Sequence, residues 1–280
     1  MFCDLHTHSY YSDGSNSPEE LIRLAQERQL SAVVLCDHNT VAGLPEFLEA
    51  AAKTDVEAVP AVEFSTLYKG VELHILGLFI LPEKYDEVTE FLKDVLVEKE
   101  ESNRKLIERL GKAGIILDYE KIKSQVKGTV NRAVIGNEMC ALGYVEDTKE
   151  AFRNYLDKTK GFYVPPALRL DTFDTIRFIK SIGAVAVLAH PFLDLDETAL
   201  REFLPKAIEA GLDGMEVRYS KFGPEKTALA EKIAEEFKLL PSGGSDYHGK
   251  AKRDIDIGVG RGDLRIPDTF LEKLKSRWKE

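Results

Sequence analysis

Histidine occurs only six times among the 280 residues of this chain, and its placement is not scattered. His6 and His8 stand one residue apart at the end of an apolar run, residues 2–5, that reads as a strand. In extended backbone, residues two apart point to the same side, so two imidazoles at this spacing can chelate one cation. His38, preceded by Asp37, closes a second run at 32–36, and Glu63 closes a third at 56–62. His74 lies within a fourth, near 73–80, and His190 closes another at 184–189. Asp246 and His248 end the stretch Ser242-Gly243-Gly244-Ser245-Asp246-Tyr247-His248, and Asp13 sits in a loop, Tyr11-Ser12-Asp13-Gly14, that can fold back over the same mouth. Nine residues of ligand type at one rim are too many for a single ion. Imidazole and carboxylate without thiolate suit Zn, Mn or Fe rather than a structural thiolate zinc site.

Each element alone has an ordinary reading. A His-x-His pair is common, Asp37-His38 can be a capped loop, and Glu63 a solvated strand end. His74, flanked by Leu73, Ile75 and Leu76, can be a satisfied core histidine. The segment Gly243-Gly244-Ser245-Asp246 can be a turn or helix cap. All of these readings would have to hold at once, and together they leave the histidine placement unexplained. A metal centre explains it.

The elements that must position these residues are legible as well. Short apolar runs alternate with longer helical patterns, the signature of a parallel α/β domain. The candidate ligands recur at the C-terminal ends of those runs, where parallel α/β barrels collect their chemistry. Ser17, Pro18 and Glu20 form a capping box that starts a helix, with Leu21, Ile22, Leu24 and Ala25 as its buried stripe. Between about residues 86 and 165 the rhythm changes. A long helical pattern runs through Val88, Phe91, Leu92, Val95 and Leu96 to Leu106, Ile107 and Leu110, and shorter ones follow near 131–142 and 148–156. The expected organisation is a barrel over 1–97 and 166–280, with a small helical insertion over 98–165 that caps the substrate and is closed by Gly161 and Pro165-Pro166.

Composition narrows the partners. The chain is 44% hydrophobic and 31% charged, with a net charge of −10. An acidic surface speaks against long nucleic acid, whose binding requires Lys and Arg to displace phosphate counterions. A small phosphorylated substrate remains compatible, because bound divalent cations reverse the local field. Cys3, Cys36 and Cys140 are far apart and suggest no disulfide framework, Cys3 and Cys36 reading as buried, inert thiols. The first residues lack the basic and apolar regions of a signal peptide, and no apolar run reaches the length of a membrane span. A reducing, cytoplasmic setting is expected.

His6-Thr7-His8, Ser12-Asp13-Gly14, Cys36-Asp37-His38, Glu63 after Val62, His190-Pro191 and Gly244-Ser245-Asp246-Tyr247-His248 resemble, in order, the motifs of the polymerase and histidinol phosphatase (PHP) family. The resemblance implies a distorted (β/α)7 barrel, two or three divalent ions (Mn, Fe or Zn) and hydrolysis of a phosphoric ester. Carried over residue by residue, it assigns one ion to His6, His8, Glu63 and Asp246. A second goes to Glu63, His74 and His190, with Glu63 bridging, and a third to Asp13, His38 and His248. A bridging carboxylate brings two ions to about 3.5–4 Å, where they share a hydroxide and clamp an in-line displacement. Asp37, beside His38, is expected to orient it or shuttle a proton.

The insertion and the run Asp37-His38-Asn39-Thr40-Val41-Ala42-Gly43-Leu44 are similar to the small stand-alone nucleotide phosphoesterases of that family. Arg132, in Thr129-Val130-Asn131-Arg132-Ala133, matches their arginine for a substrate phosphate, a task suited to a bidentate guanidinium. Val134 stands where relatives commonly carry a histidine. Arg169, Phe192, Tyr10 and Tyr11 are further candidates to flank a base or phosphate. The resemblance implies cleavage of a phosphomonoester on a nucleoside monophosphate or 3′,5′-bisphosphate. The alternatives are 5′-to-3′ trimming of short RNA, histidinol phosphate as substrate, or a metal-binding accessory module without turnover. A metal-dependent amidohydrolase would instead need a bridging lysine where Glu63 stands.

Overall fold

The computed structural model describes residues 1–279. Its strands are β1 (Phe2–Thr7), β2 (Ala32–Leu35), β3 (Glu57–Tyr68), β4 (Val71–Leu78), β5 (Leu170–Asp171), β6 (Val185–Leu188), β7 (Gly214–Tyr219), β8 (Leu240–Gly244) and β9 (Ile266–Pro267). They pair in the order β8-β7-β6-β4-β3-β2-β1-β9, with β5 added to β3. The sheet then comes round on itself. The His8 N–H donates to the Tyr247 carbonyl at 2.9 Å, and the Asp246 N–H donates to the His6 carbonyl at 2.9 Å. The result is a nearly closed α/β barrel lined with helices, and its closing seam lies among the residues that carry chemistry. Asp4, fully buried, pins that seam by accepting N–H bonds from Ser245 (2.8 Å) and Gly258 (2.7 Å).

The expected strands are present, but not all are parallel. β3 and β4 form an antiparallel hairpin from Ala61↔Leu78 to Tyr68↔Val71, and β4 also runs antiparallel to β6. Two residues, Lys69 and Gly70, make the turn, both at positive φ (47° and 83°). A two-residue connection leaves no length for the crossover helix that a parallel neighbour needs. His74 therefore reaches the mouth from within a reversed strand rather than from a C-terminal strand end.

The helix Pro18–Glu27 begins with the expected capping box: Ser17 Oγ accepts the Glu20 N–H at 3.0 Å, and the Glu20 carboxylate accepts the Ser17 N–H at 2.8 Å. The helix Tyr85–Lys112 is continuous across the expected boundary at residue 98. Its first half packs Val88, Leu92 and Val95 into the barrel core. Its second half packs Leu106, Ile107 and Leu110 into a separate apolar cluster with Ile122, Ile135 and Met139. Elsewhere that second unit touches the barrel backbone directly: a Cβ on Gly128 would lie 1.4 Å from the Tyr11 carbonyl oxygen, so only glycine fits. Cys3, Cys36 and Cys140 are free thiols. No helix among the described residues is long and apolar enough to cross a membrane.

Candidate metal centre

Each candidate ligand is delivered by a separate part of the barrel: His6 and His8 by β1 and its end, His38 after β2, Glu63 by β3, and His74 by β4. His190 follows β6, and Asp246 and His248 follow β8. All converge, with Asp13, on one buried mouth. Glu63 stands at the centre. Its Oε2 lies 3.1 Å from His8 Nε2, 3.3 Å from His6 Nε2 and 3.2 Å from His38 Nδ1. Its Oε1 lies 2.8 Å from His74 Nδ1 and 3.0 Å from His190 Nε2. Asp246 Oδ1 is 3.3 Å from His8 Nε2 and 3.6 Å from His6 Nε2. Asp13 Oδ1 is 3.2 Å from His248 Nε2 and 3.9 Å from His38 Nε2. His38 thus faces Glu63 through one nitrogen and Asp13 through the other, standing between two groups rather than within one.

These residues fit divalent cations. Ligands held about 2.0–2.2 Å from an ion lie about 3.0–3.5 Å from one another, which is the spacing seen here. The lone pairs also need a cation. His6 Nδ1 is 2.9 Å from the fully buried Glu216 carboxylate, which holds a proton on that nitrogen and leaves Nε2 to offer its lone pair to a cation that displaces any proton there. That lone pair faces His8 Nε2 at 3.0 Å and Glu63. His38 Nδ1 is buried without a hydrogen bond although Glu63 Oε2 is 3.2 Å away. Cys36 lies close to His6 and His8, but its thiol donates to the Thr7 carbonyl at 3.4 Å and burial pushes its pKa up.

Charge is concentrated at the mouth. Burial alone would raise the Glu63 carboxyl, yet the imidazoles of His38, His74 and His6 hold it well below the usual carboxylate range. Asp246 is likewise held low against its burial, by Lys252 and then His248. His74 is pushed up to about 10 by Glu63 and Glu72 despite its burial.

Sequence reasoning missed the groups that aim these side chains. Glu216 on β7 accepts from His6 Nδ1–H and from the His190 backbone N–H at 2.7 Å, so one carboxylate positions two candidate ligands. The signal was present: a lone acid between Met215 and Val217 in a short apolar strand. Tyr219 Oη (2.6 Å) and Lys252 Nζ (2.7 Å) both donate to Asp246 Oδ2, which turns Oδ1 towards the imidazoles. His190 (φ 28°) and Asp246 (φ 56°) carry strained left-handed backbone, as functional groups often do. Glu216→Gln is expected to weaken Mn binding about tenfold to a hundredfold with native circular dichroism. Unchanged affinity in a metal titration would mean that Glu216 only packs.

The remaining candidates divide. Asp37 accepts from the Ser9 N–H (2.8 Å), Ser9 Oγ (2.5 Å) and Ser12 Oγ (2.6 Å), so its carboxylate anchors the loop that bears Asp13. Arg132 starts a helix, gives one N–H to the Leu156 carbonyl at 3.1 Å and lies 4.7 Å from the Tyr163 ring centre. It lines a cleft of about 210 Å³ with Asp13, His38 and His74, and Arg169 lines the same cleft, paired to Glu72 at 2.7 Å. Phe192 is buried, its ring 5.7 Å from that of Phe222. Tyr11 donates to Glu46 at 3.1 Å, while Tyr10 and Val134 line a broader groove of about 580 Å³ on the far side of Asp13. A second small cleft, about 220 Å³, opens on the barrel side over Glu63, His190 and Asp246.

Residues 4–164 match the PHP domain family. A 5′-3′ exoribonuclease of Haemophilus influenzae is 32% identical over 246 residues, 88% of this chain and 89% of that one. A phosphoribosyl 1,2-cyclic phosphate 1,2-diphosphodiesterase of Eggerthella lenta is 31% identical over 277 residues, 95% of this chain and 100% of that one. A 3′,5′-nucleoside bisphosphate phosphatase of Chromobacterium violaceum is 29% identical over 258 residues, 91% and 90% of the two chains. A crystal structure described as a metal-dependent phosphoesterase, from Bifidobacterium adolescentis, superposes with a TM-score of 0.86 at 26% identity, over 98% of this chain and 96% of that one.

Proposed function

The chain belongs to the PHP domain family, as a metal-dependent phosphoric ester hydrolase, and on that premise we propose that it cleaves a phosphomonoester from a small nucleotide. The substrates we favour are a nucleoside monophosphate or a 3′,5′-bisphosphate. The observation that carries this reading is the cleft of about 210 Å³ beside His38 and His74, which Arg132 and Arg169 line with phosphate-binding groups. The bisphosphate phosphatase among the relatives supports it.

We assign His6, His8, Glu63 and Asp246 to one ion, Glu63, His74 and His190 to a second, and Asp13, His38 and His248 to a third. When bound, Mn, Fe or Zn ions supply Lewis-acid stabilisation of the phosphoryl oxygens and an acidified water at neutral pH. The chain's own residues supply position. Glu216 fixes the tautomer of His6, and Tyr219 and Lys252 fix the rotamer of Asp246. We read residues 98–165 as a cap that places Arg132 over the cleft and limits water around the phosphate.

Trimming of short RNA is the second reading, favoured by the broad groove beside Asp13 and by the exoribonuclease relative. The net charge of −10 weighs against long polyanions. A phosphate-release screen with Mn present, over nucleotides, bisphosphates, sugar phosphates and short RNAs, tests both. Release from sugar phosphates alone would sink the nucleotide reading. Arg132→Ala should keep its metal content yet lose about tenfold to a hundredfold in kcat/KM on a bisphosphate, the worth of one charge-assisted bidentate contact. Equal kinetics on every phosphorylated substrate would make Arg132 an ordinary helix-start arginine.

A further inference from the structure

Lys99 sits on the Tyr85–Lys112 helix, between the turn that packs Val95 into the barrel and the turn that packs Leu106 into the second cluster. Other lysines of this helix have carboxylate partners on it: Lys93 with Glu90 (3.2 Å), Lys105 with Glu101 (3.3 Å) and Lys112 with Glu108 (2.6 Å). Lys99 is half-buried and has no ion-pair partner among the described residues. It lines the same cleft as Arg132 and Arg169, beside His38 and His74. Three cations from three elements therefore face one cavity. Of these, Arg169 is neutralised by Glu72, and Arg132 spends one donor on a backbone carbonyl. Burial, with some help from Arg169 and Arg132, lowers the pKa of Lys99 against the pull of Asp13 and Glu72. A cation withdrawn from water without a partner is unfavourable until an anion joins it.

The cleft differs from its neighbour in a way that decides which anion this is. The barrel-side cleft holds Glu63, His190 and Asp246, so the phosphoryl group to be cleaved belongs there. The cleft of Lys99 contains none of those three. His38, Glu72 and His74 border both, as a shared wall.

We propose that Lys99 is a specificity-determining residue whose ammonium, with Arg132, holds a second phosphate of the substrate, distinct from the one that is cleaved. The proposal rests on the phosphoesterase reading above. With a terminal monoester as the group cleaved, the second phosphate is the other monoester in a nucleoside bisphosphate and the neighbouring diester in a short 5′-phosphorylated RNA. The monoester offers three non-bridging oxygens and close to two negative charges, the diester two oxygens and one charge, and either could meet two cationic side chains.

Lys99→Met keeps the length and the helix propensity, with circular dichroism and metal content as folding controls. The assay compares kcat/KM on adenosine 3′,5′-bisphosphate, on a 5′-phosphorylated dinucleotide and on 4-nitrophenyl phosphate. The ratio of nucleotide to chromogenic ester should fall about tenfold or more, mainly through KM, and Lys99→Arg should recover most of it. A fall confined to the bisphosphate assigns the other monoester, and one confined to the dinucleotide assigns the diester. An unchanged ratio overturns the proposal. So does an equal fall in kcat on all three with a displaced pH profile, which would make Lys99 a proton donor to the leaving group. Calorimetric titration of Mn-free protein with adenosine 3′,5′-bisphosphate reads the contact without turnover, and a tenfold weakening is expected there too. If the wild type releases phosphate from no nucleotide, the substrate reading fails. Equal calorimetric affinities would still refute the role of Lys99 separately.

Discussion

Glu63→Gln is expected to yield a folded protein whose kcat has dropped by roughly a thousandfold or more, about 4 kcal/mol in the barrier. Two oxygens of one side chain meet five imidazole nitrogens: Oε2 faces His6, His8 and His38, and Oε1 faces His74 and His190. An amide keeps the shape but puts an N–H₂ donor in place of one oxygen and removes the negative charge. Half of this arrangement then loses its acceptor and, on the proposed ligand assignment, two cations would lose their shared anion. The fold should survive, because Glu63 sits inside the β3–β4 ladder, whose backbone pairing does not depend on the side chain. Turnover with Mn on any accepted phosphomonoester, together with circular dichroism and Tm, checks this. Near-normal kcat in a native-like variant would rule out a bridging role.

Removing the ions should abolish turnover and lower Tm, and returning Mn or Zn should restore both. Two or three ions per chain are expected by elemental analysis. An ion present at a thousandfold its Kd adds about 4 kcal/mol to the folded state, so the combined loss should lower Tm by on the order of 10 °C or more in a chain of this size. The pH dependence has a definite sign. In the ion-free site, His6 and His8 are raised well above their ordinary value and His74 to about 10, so these imidazoles carry protons that entering ions must expel. Binding releases protons, and affinity should therefore rise from pH 6 to pH 8. Calorimetry in buffers of different ionisation enthalpy measures that release directly. At most one ion, with no gain on reconstitution, would sink the multinuclear centre.

Much of the mouth was readable because its residues are rare and end apolar runs. Histidine at positions 6, 8, 38 and 190 needs no tertiary knowledge to stand out, and the Ser17–Glu20 cap is a purely local pattern. What stayed hidden depends on which strands become neighbours. Glu216 matters only because β7 lies where its carboxylate can reach both His6 and the His190 backbone. Lys99 looked like any lysine on a charged helix until its missing partner and its cleft were visible. Asp37 was singled out by adjacency to His38, while its hydrogen bonds run to Ser9 and Ser12. Successive side chains near a strand end point to opposite sides, so the neighbour of a mouth-facing His38 turns to the Ser9–Ser12 loop. The reversal of β4 was missed because the Lys69-Gly70 turn is two residues long and only weakly marked.

Gly128 gives the seam between the second unit and the barrel an unusual character. Main chain meets main chain there, at Tyr11, and Lys127 adds a hydrogen bond to Tyr10 Oη at 2.7 Å. Tyr11 is two residues from Asp13, on the loop anchored by Asp37. With no side chain to swing aside, this contact cannot loosen by a rotamer change. The continuous Tyr85–Lys112 helix runs from the barrel's core into the core of this second unit. Any residue larger than glycine at position 128 would therefore have to displace the helical unit as a body rather than a single side chain.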